Sequence, residues 1–202
     1  MFPTRRLARL LSLCLTALLF CAAAAQASEW ALVKEKSAVT FEATQGSTPF
    51  TGRFENFTAN ITLDPENLET ASIRAEIDTA SVKTGAGDRD GALPGSQWFN
   101  SSNFPMAIFQ SESVRHLEGN KYVAEGTLTL KGIANPLALP FTLDIDGNTA
   151  HAKGSTEIDR LAFKVGEGEM AAPGIGAACH RPCGRNSHPV TRSHLRKMAI
   201  DR

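Results

Sequence analysis

The sequence predicts an all-β fold, an antiparallel sandwich or barrel with one short helix. Three observations predict it. Apolar and polar residues alternate with a period of two over most of residues 30–163, turn-forming residues separate these runs, and no long helical pattern occurs. Antiparallel strands with one apolar face must cover that face, and they do so by stacking two sheets or by closing into a barrel.

The first 27 residues have the composition of a secretory signal peptide. Three arginines within residues 5–9 precede an apolar run over 10–25, and Ala25-Gln26-Ala27 is a small-x-small cleavage site. Cleavage there predicts export to the periplasm and a mature chain that begins at Ser28. The alternative is a membrane anchor, for which the apolar run is short.

The net charge of zero hides two regions of opposite sign. Residues 28–169 carry 12 Lys and Arg against 20 Asp and Glu, whereas residues 170–202 carry six basic residues and one acid. The acidic body argues against a nucleic-acid partner. Residues 28–169 suffice for one domain with its own core.

The alternating runs fix the predicted elements in chain order. Asp64-Pro65-Glu66-Asn67 and Asp146-Gly147-Asn148 are turn signals. A short helix is predicted within 88–99, before Pro105. The predicted strands cover 39–44, 59–63, 73–79, 107–110, 124–131, 141–145 and 151–158.

The stretch 126–145 contains two apolar stripes separated by the half-apolar segment 131–136. We expect Leu128 and Leu130 on one strand to share a face with Leu139, Phe141 and Leu143 on the next. Residues 131–136 are predicted to connect the two strands.

Small residues interleave with large ones on the apolar faces. They leave room for a ligand or permit sharp curvature, whereas a solid core usually needs larger side chains. A packed core nevertheless remains open as the alternative. The small residues are Ala43, Ala59, Ala75, Ala107, Ala124, Gly126, Ala152 and Gly154.

Four segments together resemble the YceI-like proteins, a secreted bacterial family similar to lipocalins. The resemblance covers about residues 30–169, and its most specific parts are Trp98-Phe99, Phe104-Pro105, Leu130-Lys131-Gly132 and Ile158-Asp159-Arg160. The segments are 50–68, FTGRFENFTANITLDPENL; 88–113, DRDGALPGSQWFNSSNFPMAIFQSES; 124–143, AEGTLTLKGIANPLALPFTL; and 155–169, STEIDRLAFKVGEGE.

The resemblance implies a lipocalin-like antiparallel β-barrel that holds a polyprenyl or isoprenoid-quinone tail in its lumen. It implies no reaction and no metal. An isoprenoid lipid is therefore the expected partner, with transient contact to a membrane surface. The apolar faces give these lumen candidates: Phe41, Phe54, Ile61, Ile73, Ile77, Phe109, Leu128, Leu130, Phe141, Leu143 and Phe163.

The charged cluster Asp88-Arg89-Asp90 follows Gly85-Ala86-Gly87 and admits two interpretations. It is a solvated loop that caps the following turn, or it is a mouth where Arg89 meets a headgroup. Motifs of hydrolases, metalloproteases and phosphate loops are absent.

Two rival functions belong to different classes. One is a structural or stress-response periplasmic barrel without a physiological lipid. The other is an enzyme acting on a lipid in the barrel, which would need a polar pair inside the lumen, where alternation places almost none.

The alternation stops after Glu169, and the basic tail 170–202 departs from the family pattern. The family ends in closing strands, so we expect the last strand or strands to be missing or replaced, the tail to be disordered and the barrel to be less stable. The abrupt change resembles a shift of reading frame. Cys179 and Cys183 suggest a disulfide more than a zinc site with His188 and His194, and the basic residues suit anionic lipid headgroups.

Overall fold

The computed structural model describes residues 29–45, 47–167 and, for the backbone alone, 198–201. Its main feature is a closed barrel of eight antiparallel strands, which confirms the predicted fold class. The barrel strands are β1 (Glu29–Leu32), β4 (Phe57–Thr62), β5 (Ser72–Asp78), β7 (Met106–His116), β8 (Lys121–Leu130), β9 (Ile133–Asp146), β10 (Thr149–Gly154) and β11 (Met198–Asp201).

Three further strands form a small separate sheet beside the barrel. β2 (Val39–Gln45) and β3 (Thr48–Phe54) form a hairpin, and β6 (Val82–Lys83) pairs with the end of β3. The predicted short helix is present as α1 (Gly87–Ala92). Single 3₁₀ turns occur at Lys34–Lys36, Leu68–Thr70, Thr79–Ser81 and Arg160–Phe163.

The strand order around the barrel is β1-β11-β10-β9-β8-β7-β5-β4, and β4 returns to β1. The register aligns inward residues of neighbouring strands: Ala75 lies opposite Phe109, and Phe109 lies opposite Leu128. Ile61 lies opposite Ile73 in the same way. The alternation therefore becomes continuous apolar rows across the inner wall.

The connection between β8 and β9 is shorter than the sequence predicts. Leu130 already pairs with Ile133, so the turn is Lys131-Gly132 alone, and the predicted connection over 131–136 is wrong. Both turn residues have positive φ, 51° and 76°, as type I′ hairpin turns require. Gly132 also lies against the Phe104 ring, where a Cβ would come within 2.5 Å of Cε1.

Pro136 and Pro140 belong to β9 although proline usually excludes a central strand. They pair with Thr127 and Val123 on β8, but the pairing of β9 with β10 begins only at Phe141. This half of β9 is bordered instead by irregular chain, since Thr156 donates from its hydroxyl to the Ala138 carbonyl at 2.9 Å. Proline is tolerated here because its missing N–H removes no rung of a ladder on that side.

A β-bulge interrupts β7 between Ser111 and Ser113. The buried positions of β7 consequently shift from Ala107, Phe109 and Ser111 to Val114. Gly126 faces the bulge, where a Cβ would overlap the Gln110 carbonyl oxygen and lie 2.6 Å from the Ser111 Cα. Gly126 therefore permits close approach of β8 to β7, a role that differs from the two predicted for the small residues.

The barrel closes through β11, which pairs with β1 on one side and with β10 on the other. Four residues of the basic tail thus take the place of a family-like closing strand, in line with the expectation that the last strand is missing or replaced, and the barrel is closed. Residues Met198–Asp201 of the tail form β11, and the disorder expected of the tail stays a prediction. The rest of the tail, with Cys179, Cys183, His188 and His194, lies outside the described residues, as does the predicted signal peptide.

No helix in the described part of the chain has the length and hydrophobicity to cross a membrane. No cluster of three or more His, Cys, Asp or Glu side chains in it could bind a metal ion.

Candidate functional site

The barrel encloses an apolar cavity of about 270 Å³, which we call the main chamber. Its walls come from the inner faces of β5, β7, β8 and β9, and the β2–β3 hairpin and the segment around Trp98 complete it. Among the described lining residues, only Thr40, Thr156 and Arg160 carry a hydroxyl or a charge. A cavity of this kind favours a hydrocarbon ligand.

A second cavity of about 70 Å³, the inner chamber, continues the hollow toward the other end of the barrel. The two chambers share three lining residues, Ile73, Leu139 and Gly154, which we call the waist. Beyond the waist the walls include Trp30 from β1 and Ala150 from β10. The two chambers therefore adjoin one another at these three residues.

The structure brings ten of the eleven predicted lumen residues to these chambers. The main chamber contains Phe41, Phe54, Ile73, Ile77, Phe109, Leu128 and Leu130, and the inner chamber contains Ile61, Ile73, Phe141 and Leu143. Among the described lining residues Phe163 is missing. It is buried in the core at 4 % exposure, but it lies on a 3₁₀ turn, where alternation does not predict the direction of a side chain.

Several lining residues were not among the predicted candidates. Leu137 continues the inward alternation of β9 and could have been found from its period of two, once the turn was placed correctly. Trp98 and Phe99 lie in a segment without regular structure, where periodicity gives no signal. Trp30 lies on β1, a strand of four residues, too short to show alternation.

Four phenylalanines form a connected aromatic cluster at the hairpin side of the main chamber. The Phe41 ring lies 6.2 Å from Phe50 in an edge-to-face arrangement and 5.5 Å from Phe54, and Phe54 lies 5.7 Å from Phe99. Phe41 also covers Gly52, its cross-strand partner. An aromatic ring over a cross-strand glycine stabilises that pair, and the contact of Phe54 with Phe99 joins the hairpin to the segment around Trp98.

Arg89 lies beside this cluster at the rim of the main chamber. Its guanidinium carbon is 4.5 Å from the centre of the Phe50 ring, a cation–π contact. Nη1 donates to Gln45 Oε1 at 3.1 Å, and Nε donates to Thr84 Oγ1 at 3.3 Å. These contacts place a cation next to Phe50, a residue of the main-chamber lining.

Asp90 joins the helix α1, which also carries Arg89, to Thr84 in the preceding segment. Its Oδ1 accepts from the backbone N–H and from the hydroxyl of Thr84, both at 2.7 Å. These hydrogen bonds to Thr84 hold the pKa of the Asp90 carboxyl below its ordinary value. Asp90 thus anchors the start of α1, and a headgroup role of Arg89 stays a prediction.

Arg160 is a second cation at the main chamber. Nη1 donates to the carbonyl oxygens of Val165 and Gly166 at 2.7 and 2.9 Å. Partial burial lowers the pKa of the guanidinium, and the nearby Asp159 carboxylate partly offsets this. Arginine remains charged nonetheless. Its role here is structural, because it holds the chain that follows the 3₁₀ turn.

The segments that carry the family resemblance converge at the end of the barrel where Arg160 lies. A Cβ on Gly166 would come within 2.9 Å of the Trp98 ring, so these two residues are packed together. Lys131 donates from Nζ to the carbonyl oxygens of Lys164 at 2.6 Å and Gln97 at 3.4 Å. Segments far apart in sequence therefore build one end wall.

Comparison with known proteins identifies relatives over most of the chain. The family model described as a YceI-like domain matches residues 30–178. A UPF0312 protein of Yersinia pestis is 34% identical over 142 residues, which cover 69% of this chain and 73% of that protein. Protein YceI of Salmonella arizonae is 34% identical over 133 residues, covering 64% of this chain and 69% of that protein.

Solved structures share the fold. The crystal structure of Burkholderia cenocepacia BcnA superposes with a TM-score of 0.71 at 30% sequence identity and covers 84% of this chain and 98% of that chain. A polyisoprenoid binding domain from Saccharophagus degradans, implicated in plant cell wall breakdown, gives a TM-score of 0.57 at 13% identity. That match covers 86% of this chain and 97% of that chain, and it shows likeness of fold alone.

Proposed function

This chain belongs to the YceI-like family, and from that premise we propose that it binds an isoprenoid lipid inside its barrel and carries it through the periplasm. The lipid is a polyprenyl compound or an isoprenoid quinone. The protein acts as a binding protein, without a reaction of its own.

The observation that carries the proposal is the size of the apolar hollow. A hollow of about 270 Å³ with an almost wholly apolar wall leaves much hydrocarbon surface unburied, which is unfavourable in water. A barrel of this size could fill the space with larger side chains at Ala43, Ala75 or Ala107, so the hollow is best explained by an occupant.

The chemistry of the lining selects the ligand class. A prenyl chain is a branched hydrocarbon with almost no hydrogen-bonding groups, so it requires a wall of carbon atoms such as this one. Its headgroup is polar and would remain near the rim, where Arg89 can donate hydrogen bonds to a phosphate or a carbonyl oxygen.

The lining offers little for catalysis. Among the described residues of both chambers there is no histidine, carboxylate, cysteine or lysine. General acid–base or nucleophilic chemistry needs such groups within reach of the ligand. This supports binding over the rival in which the barrel acts on its lipid.

Mass spectrometry of an organic extract of the purified protein tests the proposal. The expected result is a co-purifying prenyl lipid in stoichiometric amount. An Ala75→Leu variant, which fills the main chamber, should lose the lipid, whereas Ala134→Leu, on the exposed outer face of β9, should retain it. An extract without prenyl lipid would favour the rival, a structural or stress-response barrel.

We base the location in the periplasm on the leader-like residues 1–27. N-terminal sequencing of protein recovered from the periplasmic fraction should begin at Ser28. Recovery of full-length chain from the cytoplasm would contradict the proposal. Loading and release of a lipid also require transient contact with a membrane surface.

A further inference from the structure

We propose that the ligand enters and leaves the main chamber through the side of the barrel, between the first half of β9 and the segment 155–162. We call this boundary the seam. The inference rests on the proposed function and adds to it a route of exchange, which lies in the barrel wall itself.

The seam begins where the hydrogen-bonded ladder between β9 and β10 ends. β9 is aligned with β8 along the whole of β8, whereas its alignment with β10 stops at Phe141 and Gly154. Residues 155–159 continue the alternation of β10, exposed at the odd positions and half-buried at the even ones, but they do not form a strand paired with β9. The chain therefore continues the wall without the regular backbone bonds that connect the barrel strands.

Two prolines prevent the ladder from extending across the seam. The carbonyl groups of Ala138 and Pro140 face it, because they accept hydrogen bonds from Thr156 and Ser155. Backbone groups of residues two apart in a strand face the same edge, so the missing N–H groups of Pro136 and Pro140 both belong to the seam edge. β9 therefore lacks two of the donors that a regular sheet would need there.

Few hydrogen bonds hold the seam closed. Between the described residues of its two sides there are three, and two of them use a side chain. Local opening needs the least free energy where few hydrogen bonds break. The three bonds run from Ser155 N to Pro140 O at 3.3 Å, from Thr156 Oγ1 to Ala138 O at 2.9 Å, and from Asn135 Nδ2 to Ala162 O at 3.1 Å.

The main chamber lies directly behind the seam. Leu137 and Leu139 line it from β9, and Thr156 and Ile158 line it from the other side. Separation of the two sides therefore opens the chamber laterally. A branched hydrocarbon can then enter sideways and leave water in one step, without being threaded end-first through the rim.

The outer surface beside the seam favours passage over β9. The exposed side chains of β9 at this place carry no charge, whereas the opposite side of the seam exposes Glu157 and Asp159. A hydrocarbon that crosses β9 therefore strips water from no charged group. The exposed side chains of β9 are Ala134, Pro136, Ala138 and Pro140.

The first test loosens the seam by one hydrogen bond. Asn135→Ala removes the donor to the Ala162 carbonyl, and Asn135 is not among the described lining residues of either chamber. The probe is a fifteen-carbon prenyl alcohol, and tryptophan emission reports its binding because Trp98 lines the main chamber. We expect twofold to tenfold faster binding in stopped-flow mixing, and equally faster release into phosphatidylcholine vesicles, which is the scale of one hydrogen bond.

A matched control and the comparison of the two rates identify the cause. Asn120→Ala removes a similar bond, to Asp144 Oδ1 at 2.8 Å, far from the seam, and should keep the wild-type rates. A change in the chamber itself would act mainly on release and so alter the affinity. A change in the route alters binding and release by the same factor. Thermal melting shows whether each variant is folded.

The second test closes the seam with a covalent bridge. In a chain whose other cysteines are replaced by serine, Ala138→Cys and Ser155→Cys place one thiol on the exposed face of each side, and a short bis-maleimide reagent joins them. We expect binding and release to become at least tenfold slower. Asp144→Cys with His151→Cys, which are aligned within the β9–β10 ladder, is the control, and bridging there should leave both rates unchanged.

The outcomes separate this inference from the proposed function. If the bridged seam leaves both rates unchanged while the alcohol still binds, exchange occurs at the rim, so the seam route is wrong and lipid binding stands. Equal acceleration by Asn120→Ala and Asn135→Ala would also overturn the route, because the effect would then be a general loss of stability. If wild-type protein does not bind the alcohol, the proposed function fails and the route fails with it.

Discussion

The guanidinium of Arg89 lies 4.5 Å from the centre of the Phe50 ring, so a cation on the helix α1 covers an aromatic residue of the main chamber. The contact joins the small sheet to the helix beside the barrel. It also makes the rim the place where an apolar wall meets a positive charge, an arrangement suited to an amphipathic ligand.

Removal of the charge at residue 89 should affect lipids according to their headgroup. For Arg89→Gln we expect a threefold to tenfold loss of affinity for a prenyl phosphate, because an exposed charge-assisted hydrogen bond is lost. The affinity for the matching prenyl alcohol should stay within about twofold. Titration calorimetry with both ligands measures the difference. Arg115→Gln, which affects the exterior pair with Glu125, is the control, and an equal loss for both ligands would contradict a headgroup role.

Enlarging a small residue should have opposite effects in the hollow and in the packed wall. Ala75→Val adds carbon to the main chamber, so we expect a gain in stability of about 0.5–2 kcal/mol together with weaker lipid binding. Ala124 is fully buried and lines neither chamber, so Ala124→Val should lose about 1–3 kcal/mol through overpacking. Urea unfolding measures both. Destabilisation of similar size at the two positions would show that the main chamber is not free space.

Glycine should be required at residue 126 for steric reasons. A methyl group there would collide with the backbone of β7 at the bulge, which cannot move as a flexible side chain can. We expect Gly126→Ala to cost about 1–3 kcal/mol. Gly91 on α1 has open space around its Cβ position, so Gly91→Ala should be neutral or gain up to about 1 kcal/mol. Thermal melting of both variants tests this, and equal melting temperatures would contradict it.

Stability should fall in acid partly through Asp90. Since hydrogen bonds from Thr84 lower the pKa of the folded carboxyl, its contribution is present above its ordinary pKa of about 4 and is lost as the pH falls through the lower folded value. Asp90→Asn should therefore show a smaller loss of stability between pH 5 and pH 2 than wild type, and Thr84→Ala an intermediate one. Denaturant midpoints across this range measure it, and identical slopes would exclude a role for Asp90.

The sequence predicts most of the residues that form the barrel wall and few of those at the ends of the barrel. Phe109, Leu128 and Ile73 could be assigned to the inner face from alternation alone, because their strands are long and the opposite face is polar. The length of the β8–β9 turn could not, since Pro136 reads as a strand breaker until the partly unpaired side of β9 is known. Trp98 could not be assigned to the chamber either, because its position depends on contacts with residues distant in sequence such as Gly166.

The replacement of a long closing strand by β11 has a consequence for how the molecule comes apart. β1 is aligned with β11 at only two positions, Ala31 with Asp201 and Leu32 with Ile200, and with β4 at only two, whereas β8 and β9 are aligned along the whole of β8. Local opening costs least where the fewest hydrogen bonds break. The cylinder should therefore open on either side of β1, with the amide hydrogens of β1 exchanging for deuterium well before those of β8.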